Sequence, residues 1–322
     1  MDNKLPNAVL CVGMLNCDVY FKNIPRNLMQ VDTTFARGAI MRVGGDAANV
    51  ATNLAKMGLT TLLCANVTDD VFGNFCCEAL AEHGVDTTHV YRTSTSGSAT
   101  SLMFFDTEGV KHSASFWGGN RTLEPSQITD EMLKKARHMH IGSFVNLQSF
   151  FGEPAIDLLK RAKALGLTIS ADISAGGGKP VVWEKISQVM PLCDVFTMNE
   201  NEMFTLTGTR DEVEAAEKLS VCAPGLLLLK QGPRGVYATD FKGFAKLMPT
   251  LTNPDDVIDT TGAGDAFISG YIAGLMHDLS REECIHCGSA SSALCLVSMG
   301  ASLWGIPFED VLALARERAA AL

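Results

Sequence analysis

Asp259-Thr260-Thr261-Gly262-Ala263-Gly264-Asp265-Ala266-Phe267 is the stretch whose reading decides this chain. A short polar run leads into two glycines, one acid and then a helical pattern. Phe267, Ile268, Tyr271, Ile272, Leu275 and Met276 recur at the spacing of one helix face. Backbone N–H groups at a helix start have no partner within the helix, and the helix dipole favours negative charge there. Gly262, Ala263 and Gly264 therefore form a candidate anion hole, with glycines that let a ligand approach the backbone closely. Asp265 puts a carboxylate beside a site built to hold an anion, whose charge would repel it, a placement that makes sense for an acid handling a proton beside a phosphate. A plain strand-to-helix turn with Asp265 as a cap would use the same residues, so the motif alone leaves both readings open.

A second glycine loop opens a helix at Gly44-Gly45-Asp46-Ala47-Ala48-Asn49-Val50-Ala51-Thr52-Asn53-Leu54. Ala47, Val50, Ala51 and Leu54 form an apolar stripe, while Asp46, Asn49 and Asn53 share the opposite face. Carboxylate and amides beside two glycines suit the hydroxyls of a polyol; a solvated face with Asp46 near the cap is the plainer alternative. Other nucleotide loops fit poorly. Gly178-Lys179-Pro180 has proline where a Walker-type loop needs a hydroxyl, and Ile173 where it needs its first glycine. Phe267 stands where a dinucleotide fingerprint requires a third small residue.

The chain has 322 residues, 47% hydrophobic and 19% charged, which is a globular composition of about two domains' length. A net charge of −10 and the lack of a basic cluster argue against nucleic acid as a partner. The start, Met1 to Ala8, lacks a charged run followed by a long apolar one, and no apolar run reaches about 20 residues, so neither a signal peptide nor a membrane partner is expected. Ten cysteines scattered through apolar segments read as buried thiols of a cytoplasmic protein. Cys284-x-x-Cys287 lacks the second pair of a structural zinc site, and His138 and His140 alternate in a buried strand, so both read as core.

Strands are expected at Ala8–Val12, Leu62–Ala65, His138–Ile141, Thr168–Asp172, Asp194–Met198 and Gly225–Leu229. Helices are expected at Asn74–Glu82 and Ala155–Ala164, with the last two at about Asp265–His277 and Arg281–Met299. This alternation implies a largely parallel sheet covered on both faces. Two segments break the rhythm. Leu15–Val43 has no helical period, and Ser98–Trp117 reads as a hairpin around Thr107-Glu108-Gly109. The expected organisation is an α/β body (1–13, 44–97 and 119–322) with a small β lid (14–43 and 98–118).

Together, the two glycine loops resemble the paired signatures of the ribokinase-like (PfkB-type) carbohydrate kinases, Gly44–Gly58 matching one and Asp259–Gly270 the other. The resemblance covers essentially the whole chain and implies a three-layer α/β/α fold with a largely parallel central sheet and a small β-sheet lid. It implies ATP and magnesium as cofactors, Asp265 as catalytic base, and Gly262, Ala263 and Gly264 as anion hole. Asp18, Gly44, Gly45, Asp46, Asn49 and Asn120 would form the sugar site. Asn199, Glu202, Lys230, Gly232 and Gly235 would serve the nucleotide, with Glu202 organising magnesium through water. Asp259, Thr261 and Gly300 correspond to a monovalent-cation site, hence potassium as a further cofactor. Where many such kinases follow the strand ending at Asp172 with Pro-Asn and an arginine, this chain reads Ile173-Ser174-Ala175. The implied reaction phosphorylates a hydroxymethyl group of a small sugar or sugar-like substrate. A nucleoside kinase, a phosphosugar kinase using Arg37, Arg42 or Arg121, and a non-catalytic sensor are the alternatives. A homodimer through the lid completes the expectation.

Overall fold

Ala8-Val9-Leu10-Cys11-Val12 is buried at every position, as a central strand covered on both faces requires. In the computed structural model, which describes residues 6–94, 97–174, 182–297 and 306–320, this stretch is β1. It is followed by β2 (Asn16–Ile24), β3 (Gly38–Gly44), β4 (Thr60–Thr68), β5 (Val85–Asp86), β6 (Val90–Thr93) and β7 (Thr100–Asp106). Then come β8 (Lys111–Phe116), β9 (His138–Ile141), β10 (Thr168–Asp172), β11 (Val195–Asn199), β12 (Leu227–Lys230), β13 (Val236–Thr239) and β14 (Ala245–Met248).

Among the described residues, a ten-stranded sheet runs β14-β13-β12-β11-β10-β9-β1-β4-β5, with β6 also paired to β4. Its pairings are parallel except those that β13 makes with β12 and β14. Alternation along β1 sends Val9 and Cys11 into one apolar core and Ala8, Leu10 and Val12 into another, one on each face of the sheet. Helices Asp46–Lys56, Ala263–Met276 and Arg281–Leu296 cover the first face, and helices Glu153–Ala164, Trp183–Val189 and Glu212–Ser220 the second.

A separate four-stranded sheet, β3-β2-β7-β8, joins the two segments that broke the helical rhythm. Its β7–β8 turn is held by Asp106, whose Oδ1 accepts from the N–H groups of Glu108 and Val110 at 2.8 Å each, while Gly109 takes φ +81°. The expected strands are all present within a few residues. Several features go beyond expectation, three of them larger elements. Helix Phe308–Ala320 follows the two helices expected to be last, and its buried Phe308, Val311 and Ala315 were readable at i, i+3 and i+7. The antiparallel β13–β14 pair and the helices of residues 200–220 are short, and too few residues carry their period. Cys284 and Cys287 are buried in the core, as are His138 and His140.

Candidate active site

Parallel register brings chemistry to one rim. Strands β10, β11 and β12 end on Asp172, Asn199 and Lys230, with Asp172 level with Thr197 and Asn199 level with Lys230. Ligands of open α/β sheets bind at this carboxyl edge, where loops and helix starts converge.

The two glycine-led helices meet there. Asn49 Nδ2 donates to Asp265 Oδ2 at 2.7 Å. One turn further, Asn53 Nδ2 lies 3.4 Å from Ser269 Oγ, which donates to the Asp265 carbonyl at 2.6 Å. Asn49 and Asn53 are buried, so the polar face of helix Asp46–Lys56 is a helix–helix contact; the solvated-face alternative does not hold. Asp46 is the first helical residue, behind Gly45 as cap. Its carboxylate accepts a short hydrogen bond from Ser143 Oγ.

The glycine loop expected to form an anion hole opens a helix. Gly262 caps helix Ala263–Met276 in the left-handed region at φ +78°, which orients the N–H groups that follow. A Cβ on Gly264 would lie 3.1 Å from Lys230 Nζ, so the ammonium sits directly against the loop. Lys230 is anchored by Asp172 at 2.9 Å, and Asp172 is itself 4% exposed. Lys230 is thus held in the site rather than extended into solvent.

Burial, then the charges of Asp46 and Asp172, push the Asp265 pKa well above the usual carboxylate range, against the Asn49 hydrogen bond and Lys230. Asp46 is pushed up to about 7 by burial and by Asp172. Burial also opposes ionisation of Asp172, but the Lys230 ammonium and the Ser174 hydroxyl outweigh it and hold Asp172 below its ordinary value. Burial alone would lower Lys230; Asp172 and Glu202 reverse that and raise it. The site thus combines one fixed ammonium with two acids, Asp46 and Asp265, held above the usual carboxylate range.

Asp18 faces this rim from β2. It is 7% exposed, burial raises it to about 6, and its Oδ1 accepts no hydrogen bond among the described residues. A Cβ on Gly44 would overlap the Asp18 carboxylate, and Gly45, at φ +95°, packs its Cα against the Met14 carbonyl. Asn120 is tied down: its Oδ1 accepts from Leu15 N at 3.0 Å and its Nδ2 donates to Asn16 Oδ1 at 2.6 Å. It fixes the end of β8 to the start of β2.

Asn199 and Glu202 form a capping box for helix Glu200–Thr207. Asn199 Oδ1 accepts from Glu202 N at 3.0 Å, and Glu202 Oε2 from Asn199 N at 2.8 Å. A Cβ on Gly232, at φ +55°, would meet none of the described residues within 4 Å, whereas a Cβ on Gly235 would overlap the Met248 carbonyl, so glycine there also serves the approach of β14. Thr261 N donates to Asp259 Oδ1 at 2.9 Å. Gly300 lies outside the described residues, as do Gly178 and Ala175.

Sequence reasoning missed several participants. Asp172 was readable as an acid ending a buried strand. Ser143, Ser174 and Lys111 carried no local signal. Ser174 Oγ donates to Asp172, and Lys111 Nζ of the small sheet donates to Thr261 Oγ1 of the glycine loop at 3.0 Å.

The model of the pfkB family of carbohydrate kinases matches residues 7–307, and the chain belongs to that family. It is a sugar kinase, a phosphotransferase with an alcohol group as acceptor. Similar proteins include the 5-dehydro-2-deoxygluconokinase of Geobacillus kaustophilus (strain HTA426), 26% identical over 319 residues that cover 94% of this chain and 91% of that one. Arabidopsis thaliana ribokinase is also 26% identical, over 94% of this chain and 79% of its own. Among solved structures, Arabidopsis thaliana ribokinase complexed with ribose and ATP superposes with a TM-score of 0.81 at 23% identity, covering 97% of this chain and 99% of that one. Ribokinase from Thermotoga maritima gives a TM-score of 0.79 at 24% identity, over 97% and 100%. These likenesses show the three-layer ribokinase-like fold.

Proposed function

We propose that this chain transfers the terminal phosphoryl group of ATP to a hydroxymethyl group of a small sugar or sugar-like acceptor, with Asp265 as base. One observation carries the reading: the Asp265 carboxylate is oriented by Asn49 in the first turn of a helix whose glycine loop lies against the Lys230 ammonium. Asp265 takes the acceptor proton as the phosphoryl group departs; its raised pKa suits it to hold that proton. The N–H groups behind Gly262 and the Lys230 ammonium stabilise negative charge on the transferring oxygens.

Asp18, with a carboxylate oxygen that has no partner among the described residues, binds acceptor hydroxyls together with the Gly44–Asn49 loop. The small sheet is the lid, and Lys111 already spans from it to the glycine loop. Closure excludes water, so that phosphate goes to the acceptor.

Glu202 already accepts one backbone hydrogen bond, which suits a water-mediated hold on magnesium better than a direct one. Magnesium bound there would supply positive charge to the phosphates. Asp259 and Thr261, with Gly300, are the proposed monovalent-cation segment. Asn120, Gly232 and Gly235 act by shaping the loops around acceptor and nucleotide.

The outer face of the small sheet exposes Met41, Leu102 and Phe116 at 37%, 38% and 49%, and we assign it to a homodimer contact. Ten free cysteines agree with a cytoplasmic location.

The test is a coupled ADP-release screen over free sugars, sugar acids, phosphosugars and nucleosides, repeated with Asp265→Asn. The variant is expected to keep its fold and ATP binding while turnover falls by about 100-fold or more. Near-normal turnover in the variant overturns the base role, and no acceptor-dependent ADP with any compound overturns the kinase assignment for this site.

A further inference from the structure

We propose that the acceptor carries an anionic oxygen group, a carboxylate or a phosphate, which Arg42 and Lys111 bind from the inner face of the small sheet. The inference rests on the placement of the acceptor beside Asp18 and adds its chemical class.

Register fixes which side chains share that face. Asp18 on β2 stands directly opposite Arg42 on β3 and Ser101 on β7. Ser101 is opposite Ser115 on β8, and Phe105, further along β7, is opposite Lys111. Directly opposed residues point to the same side of a sheet, so Asp18, Arg42, Ser101, Ser115, Phe105 and Lys111 form one surface. It is turned towards the glycine loop. Lys111 reaches Thr261 at 3.0 Å, and Arg42 lines a cavity of about 250 Å³ whose far wall includes Asp259.

Two polar atoms on this surface lack partners. Asp18 Oδ1 and Arg42 Nη1 are both shielded from solvent, and neither makes a hydrogen bond among the described residues. The two residues are cross-strand neighbours of opposite charge, yet they form no ion pair with each other. A shielded guanidinium N–H without an acceptor is costly, and a ligand that supplies the acceptor recovers that cost on binding. The two orphans ask for different groups. A carboxylate accepts hydroxyl protons, whereas a guanidinium fork matches the paired oxygens of a carboxylate or phosphate. Lys111 adds a second cation at the same surface, and its hydroxyl partner Thr261 is one that an anion can replace. An uncharged sugar would satisfy Asp18 and leave the shielded Arg42 Nη1 without an acceptor.

The experiment measures binding by calorimetry to the full chain for two matched pairs, D-gluconate with D-glucitol and D-fructose 6-phosphate with D-fructose. At least one anion is expected to bind tenfold or more tightly than its uncharged counterpart, and the pair showing the preference distinguishes carboxylate from phosphate. Arg42→Gln and Lys111→Gln should each shrink that ratio about tenfold, with circular dichroism confirming the fold. Lys111, at an exposed hairpin end, provides the second variant should Arg42→Gln fail to fold. Absence of anion preference in both pairs, including absence of any anion binding, overturns the proposal, as does a ratio that survives both substitutions. Because the readout is binding, a chain that bound anions without forming ADP would sink the kinase mechanism and leave this inference standing.

Discussion

Asn49 Nδ2 donates to Asp265 Oδ2 at 2.7 Å, joining two glycine-led helices whose contacting residues are 216 positions apart in sequence. The bond orients the carboxylate and favours its ionised form. Asn49→Ala should therefore raise the Asp265 pKa further and move the acidic limb of the kcat/KM–pH profile to higher pH. It should lower kcat about tenfold to 100-fold, and cost about 1–3 kcal/mol in denaturant unfolding. An unshifted limb would show that Asn49 does not orient the base.

Asp46 acts on the same carboxylate in the opposite sense, since its charge raises Asp265. Asp46→Asn removes that charge, so the acidic limb should move to lower pH. The two variants shift one limb in opposite directions, which a general loss of structure would not produce.

Stability should also follow pH through these acids. Asp18 and Asp46 are raised to about 6 and about 7 in the fold. In the unfolded chain both ionise near the usual aspartate value of about 4. Between these limits the folded state holds protons that the unfolded state has released. Their contribution is full below pH about 4 and is lost as pH rises through 6 and 7, with a slope on the order of 1 kcal/mol per pH unit for each group. Asp46→Asn should flatten this decline in a urea titration run from pH 4.5 to 8; an unchanged slope would show that Asp46 is not the group responsible.

Lys230 and Asp172 form an ion pair with little access to water. Lys230→Met strands the carboxylate and should destabilise by about 3–5 kcal/mol. The double variant Lys230→Met, Asp172→Asn should regain most of that stability but not turnover, because the charge facing the glycine loop stays lost. Restored turnover in the double variant would reduce Lys230 to a structural role.

Gly44→Ala would drive a methyl group into the Asp18 carboxylate, whereas Gly38→Ala on the same strand meets none of the described residues within 4 Å. The first should raise the acceptor KM by about tenfold or more, in keeping with the sensitivity of positioned groups to small displacements. The second should leave the unfolding midpoint nearly unchanged. Equal effects of the two on KM would remove Asp18 from the acceptor site.

Much of this site was legible because its elements are local. The helical period after Phe267, the glycines before Asp265 and the continuous apolar run of β1 each follow from neighbouring residues. Asn199-x-x-Glu202 was legible too, although its immediate work is to cap a helix. The side-chain partners were not legible. Lys230 reads as any strand-end lysine until parallel register sets β12 two strands from Asp172, with β11 between them. Nothing near Asn120 in sequence shows that its amide also ties Leu15 N and Asn16 together.

The sequence by itself determined the parallel sheet, the two helix starts and the family to which they belong, because hydrophobic period and glycine conformation act over a few residues. Only the tertiary structure decided that Asp46 faces Ser143, that Asn49 holds Asp265, and that Lys111 crosses from the small sheet to Thr261. Those pairings depend on strand order and helix docking, which join residues separated by 97 to 216 positions. No short-range pattern encodes such distances.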